Sequence, residues 1–235
     1  MSYDDLWTYE HIRKPRPDLA EAVKSLPQDT LIVDCETQKS AKEVGGWKHI
    51  DKMGLSCAAG WRADRGIILY PTGGNARLVL DLLEAKAIAG HNIIRFDLTL
   101  LRPIINKARA WAMTQPPTNH LTRTLQAAKF RDADPLSGTL LIDTLKLLEE
   151  SSGRKWALDS LALHTLNAGK CGTGLDAIKW YKEQNWRNLY AYVIQDVAVT
   201  RDLLLHGLTY GMVKAGEDLE LKVDWKERLL KMKER

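Results

Sequence analysis

The chain has 235 residues, 45% of them hydrophobic and 27% charged, with a formal net charge of +4 at pH 7. That balance supplies a core for one large domain and excludes a disordered or collagen-like chain, while the small cationic excess permits an anionic partner without demanding one. Cys35, Cys57 and Cys171 show no CxxC spacing, which argues against a disulfide framework and against zinc and fits a reducing cytoplasm.

The N-terminal stretch MSYDDLWTYEHIRKPRPD has no apolar h-region of a secretory signal, and runs such as LIV and IIL are too short to span a bilayer. Residues 1–29 are polar, punctuated by Pro15, Pro17 and Pro27, and predict an arm with a short helix near 17–26. Residues 30–35 form an apolar, β-branched run, hence a buried strand. A polar loop with Gly45 and Gly46 leads to strands over 55–61 and 66–70, joined by the turn Ala63-Asp64-Arg65 as a hairpin. Leu78, Leu82 and Leu83 mark a helix over 75–86; 87–90 is a short strand running into His91-Asn92, and 96–105 is a helix. Residues 107–137, with two adjacent prolines and weak periodicity, read as an inserted loop or helical excursion.

A strand over 140–142 and a helix over 144–150 follow; helices are then predicted over 158–165, 176–183 and 186–205. Residues 216–235 are charge-dense and read as a solvated helix or tail. Three strands, then alternating helices and strands, predict an α/β domain over 30–215: a mixed five-stranded sheet with helices on both faces.

Acidic residues recur at element ends. Asp34 and Glu36, in LIVDCET, are two apart on a strand and therefore share a face. Asp97, in GHNIIRFD, falls in the first turn of a helix, where the macrodipole favours an acid. Tyr192 and Asp196, in YVIQD, are one helical turn apart on a common face. Each string alone has a bland structural explanation. Together, four carboxylates converging on one point would be tolerable only with hard, oxygen-seeking cations such as Mg²⁺ or Mn²⁺ beside them, and a pair of such ions about 4 Å apart is the usual machinery for cutting phosphodiesters.

The three strings, DCET, HNIIRFD and YVIQD, resemble in order the three exonuclease motifs of the DEDD superfamily of 3′–5′ exonucleases. The second is most similar to that of family B polymerase proofreading domains and of related stand-alone or helicase-associated exonucleases. Tyr192 followed by Asp196 resembles the tyrosine (DEDDy) subclass; Ala191 stands where the histidine subclass has its His. The resemblance covers roughly residues 30–205. It implies a ribonuclease H-like fold and two divalent cations, Mg²⁺ or Mn²⁺, held by Asp34, Glu36, Asp97 and Asp196, with Tyr192 orienting the attacking water. It implies an exonuclease acting on single-stranded nucleic acid, DNA being favoured over RNA, with a polymerase, a helicase or another complex as a candidate partner and no membrane. An exoribonuclease, or a nuclease-derived subunit that binds a 3′ end without cutting it, is the alternative.

Candidate substrate contacts are Thr37 through its backbone N–H, His91, Asn92, Arg95 (toward a phosphate) and Phe96. His91 could equally be a hydrogen-bonded structural histidine, Asn92 a turn residue, and Asp143 either a fifth acid or the cap of the helix from Thr144. Cys35, pointing away from its two acidic neighbours, reads as core. Trp47, Trp61, Trp111, Trp156, Trp180 and Trp186 are candidate base-stacking platforms or core residues. Basic residues in the insert (Lys107, Arg109, Arg123, Lys129, Arg131) could form a lid, and those of the tail could track a nucleic-acid backbone.

Overall fold

The computed structural model describes residues 12–127, 136–169 and 171–233. Its centre is a five-stranded sheet in the order β3-β2-β1-β4-β5, built from β1 (Thr30–Thr37), β2 (Leu55–Arg62), β3 (Gly66–Tyr70), β4 (Ala87–Gly90) and β5 (Leu140–Asp143). The first three strands pair antiparallel. Strand β4 joins β1 in parallel and β5 joins β4 in parallel, so the sheet is mixed. β-Branched and small residues pack this interior: Ile32, Val33, Ala58, Ala59, Ile88 and Ala89 are all buried.

Nine α-helices are described: α1 (Ala41–Val44), α2 (Asn75–Glu84), α3 (Asp97–Ala112), α4 (His120–Ala127), α5 (Thr144–Ser152), α6 (Leu158–Leu166), α7 (Gly174–Lys182), α8 (Trp186–Tyr210) and α9 (Trp225–Lys233). Alternation along β1 distributes them over two cores. Leu31, Val33 and Cys35 pack with Leu78 and Leu82 of α2, Ile105 of α3 and Leu125 of α4. Ile32 packs on the other face, with Leu148 of α5, Leu161 of α6, Ala177 of α7 and Val197 of α8. Helices therefore cover both faces of the sheet. The 25-residue helix α8 is buried around nearly its whole circumference from Leu189 to Leu208. No helix among the described residues is long and apolar enough to cross a membrane.

Strand β1 outruns its parallel neighbour. Its pairing with β4 covers Thr30 to Ile32 only, whereas its pairing with β2 continues to Thr37. The chain leaves the sheet at Gly90, where a Cβ would lie 2.9 Å from the Cβ of Ile93 and 3.0 Å from the carbonyl of Val33. Glycine is needed there because the turn folds back onto the strand.

Several boundaries differ from the sequence reading. Helix α3 continues to Ala112, into the stretch read as an insert, and α4 occupies another part of it. Lys129 and Arg131 lie outside the described residues. The loop after β1 contains α1, closed by a capping box between Ser40 and Glu43, and a 3₁₀ turn over Trp47–Lys52. The arm forms a 3₁₀ helix over Pro17–Ser25 with Leu19 fully buried. A boundary at 215/216 falls inside a hairpin, β6 (Met212–Gly216) with β7 (Leu219–Lys222). Helix α9 beyond it is docked, since Trp225 is fully buried. The tail is thus part of the fold as far as described; Glu234 and Arg235 lie outside those residues.

Candidate functional site

At the carboxyl ends of β1 and β4 opens a cleft of about 830 Å³. Asp34 and Glu36 share the parity of Ile32 on β1, so they project toward α8. Opposite them on β2 stand Ala59 and Cys57, whose small side chains leave the carboxylates room. The β1–β2 register shifts between Glu36 and Thr37, a bulge of the kind that re-aims side chains at strand ends. From the other side α8 delivers Asp196. One carboxylate oxygen each from Asp34, Glu36 and Asp196 lies within 4.8 Å of the others.

Asp97, the first residue of α3, lines the same cleft but stands apart from that trio. Its Oδ1 accepts the N–H of Cys35 at 2.9 Å. Because β4 has already ended, the carboxylate takes up an N–H at the edge of β1 where the parallel ladder stops. Burial pushes the Asp97 carboxyl up to about 8, against the lowering effect of the N–H groups it accepts. Buried Cys35 belongs to the core on the opposite face, as expected, and its thiol is raised well above its usual range by burial and then by the charges of Asp97 and Asp34.

Tyr192 lies one turn before Asp196 on α8, buried, with its ring edge-on to Trp180 at 5.9 Å. Burial first, then the negative charges of Asp196, Glu36 and Asp34, hold its phenol far above the ordinary range. It therefore stays protonated and can act as a hydrogen-bond donor, not as a base.

The remaining sequence candidates divide. Thr37, His91 and Phe96 line the cleft. The His91 ring is engaged, with Nε2 donating to the carbonyl of Trp156 at 3.0 Å and Nδ1 2.9 Å from Thr144 Oγ1. Asn92 and Arg95 are not brought to the cleft. They line a separate hollow with Asp143, Lys146 and Glu149. Asn92 sits in the left-handed region at φ 67°, and its N–H donates to Asp143 Oδ1 at 2.9 Å. That is the turn role, and the turn carries Arg95 to the far side. The Asp143 carboxylate also accepts the N–H groups of Ile94, Leu145 and Lys146. It caps α5 and fixes the turn that leads to Asp97.

Two walls flank the acidic floor. One runs from Lys39 through Lys42 to Trp47; the other is the start of α7, with Thr173, Leu175 and Ile178. Lys182 of α7 bonds Glu43 of α1 at 2.7 Å, tying the walls together. That hydrogen bond, with those from Ser40, lowers the Glu43 carboxyl to about 2. In the sequence Trp47 is one of six candidate tryptophans, and nothing there assigns α7 to the site. The overlooked signal was Leu175, an apolar residue beside a glycine-rich loop in the first turn of a capped helix. No protein-family model matches this chain, and no curated protein matches it significantly.

Proposed function

We infer that the protein is a metal-dependent 3′–5′ exonuclease of the DEDDy type, with a ribonuclease H-like arrangement of its sheet, that removes nucleotides from the 3′ end of single-stranded DNA. The observation that supports it most is the meeting of Asp34, Glu36 and Asp196, with Asp97 in the same cleft, from segments far apart in the chain. These are the acids of the three strings that resemble the exonuclease motifs. The 3′–5′ direction and the choice of DNA rest on that resemblance.

A set of carboxylate oxygens suits Mg²⁺ or Mn²⁺. Asp34, Glu36 and Asp196, with Asp97 beside them, would hold two such ions, which when bound supply Lewis acidity and a water of lowered pKa to phosphodiester hydrolysis. The chain's own groups do the positioning. The Cys35 N–H fixes the orientation of the Asp97 carboxylate. The protonated phenol of Tyr192 donates a hydrogen bond that orients the attacking water. Exposed Lys39 and Lys42, on the wall of the cleft, attract a polyanion toward a floor that would otherwise repel it.

Incubation with Mg²⁺ or Mn²⁺ is expected to shorten a 5′-labelled oligonucleotide one residue at a time. Asp34→Ala and EDTA should each abolish the ladder, with the far-UV circular dichroism of the variant unchanged. Matched DNA and RNA strands decide the sugar. The absence of a ladder from either strand with any divalent ion would overturn the proposal.

A further inference from the structure

Strand β7 is an open edge. It pairs with β6 on one side, and among the described residues no strand joins it on the other. Leu219, Glu220 and Lys222 are exposed there. The direction of its backbone groups follows from β6. Thr165 Oγ1 of α6 donates to the Lys214 carbonyl at 2.9 Å and accepts the Lys214 N–H at 2.8 Å. Both backbone groups of Lys214 therefore point away from β7. Because this direction alternates along a strand, Val213 turns its own groups toward Leu221, the residue opposite it. Leu221 thus bonds β6, while the N–H and C=O groups of Glu220 and Lys222 face outward. An exposed row of this kind is a template for a further strand.

We propose that the strand completing this edge is β7 of a second copy of the chain, antiparallel to the first about a two-fold axis at Leu221. The axis must pass through a residue, because one falling between residues would set an outward-facing residue against an inward-facing one. An axis at Glu220 would put glutamate against glutamate, and one at Lys222 would put lysine against lysine. At Leu221, Glu220 of each copy meets Lys222 of the other, so opposite charges face each other twice in hydrogen-bonded pairs. Charges of one sign would repel a second copy; opposite charges two residues apart make the edge complementary to itself. Leu221 meets its counterpart at the centre, and Leu219, 42% exposed, comes opposite Val223. Glu220 already pairs with Lys214 at 3.5 Å, so in the joined sheet it bridges two lysines, one from each copy. The product is a four-stranded sheet in the order β6-β7-β7-β6, and it stands independently of the acidic cleft.

The test is analytical ultracentrifugation of the full chain over a wide concentration range. Two short strands make a small interface, so wild type is expected as a concentration-dependent dimer. Glu220→Lys and Lys222→Glu each set like charges opposite in both pairs, and each variant alone should sediment as a monomer. Mixed in equal amounts they should dimerise again, since each then offers the charge that the other lacks. The Lys214 pair given up by Glu220→Lys is exposed and weakly stabilising, so far-UV circular dichroism should match wild type. Mixing would not repair a lost fold, which separates a broken interface from a broken hairpin. A wild type that stays monomeric at every concentration, a dimer that survives either reversal, or reversals that mixing does not rescue would overturn the proposal.

Discussion

Asp97 is a carboxyl group whose surroundings favour its neutral form. Burial is the main cause of its rise to about 8, and the N–H of Cys35 only partly offsets it. Below pH about 4 both folded and unfolded chains carry the proton. Between about 4 and 8 the unfolded chain ionises while the folded one keeps its proton, so the folded state binds more protons and loses stability as pH rises. Denaturant unfolding in EDTA should show this decline, complete near pH 8, and Asp97→Asn should flatten it. The pair Asp34 and Glu36 was legible because the strand period puts them on one face. The hold of Cys35 on Asp97 was not, since it depends on β4 ending before β1, a tertiary fact. Asn92 was likewise ambiguous in sequence; its positive φ and its bond to Asp143 identify a turn.

At the scale of elements, α8 and α9 meet closely at Gly207, against the Trp225 ring. A Cβ at Gly207 would fall 2.2 Å from the Trp225 ring. Gly207→Ala must therefore displace α9, at about 1–3 kcal/mol for an overpacked contact. A calorimetric melting point lowered by several degrees is the expected result. The strands of the sheet were readable from short apolar runs bounded by turn residues. The β6–β7 hairpin was not, because the β7 sequence LELK lies exposed or half-exposed and carries no burial pattern. Trp225, surrounded by lysines and acids, was hidden in the same way. The extension of α3 past Ile105 was masked by weak periodicity over residues that are mostly exposed, up to the buried Ala112.

For the whole molecule, two cores lie on opposite faces of one sheet, and α8, the helix that supplies Asp196, packs in only one of them. The N-terminal segment is locked onto this helix by Arg201. Its guanidinium is fully buried, pairs with Asp202 at 2.7 Å, and donates to the carbonyls of Ile12 at 3.1 Å and Lys14 at 2.9 Å. It also lies over the Trp61 ring, 5.6 Å from its centroid. Arg201→Ala leaves Asp202 as a buried charge stripped of this cation, and urea unfolding should report a loss of about 3–5 kcal/mol. The mixed sheet of five strands followed from sequence, but this long-range lock did not, since nothing near Arg201 in the chain foretells a contact with residue 12.

The bond between Glu43 and Lys182 joins residues 139 apart in sequence and ties α1 to α7, two elements whose neighbouring residues line the cleft. It is exposed, so mobile ions weaken it, as they weaken the grip of Lys39 and Lys42 on any polyanion. Ionic strength thus acts twice, loosening the fastening between α1 and α7 while dimming the attraction that draws a guest inside. Entry by a strand should then pass through an optimum at intermediate salt rather than fall steadily.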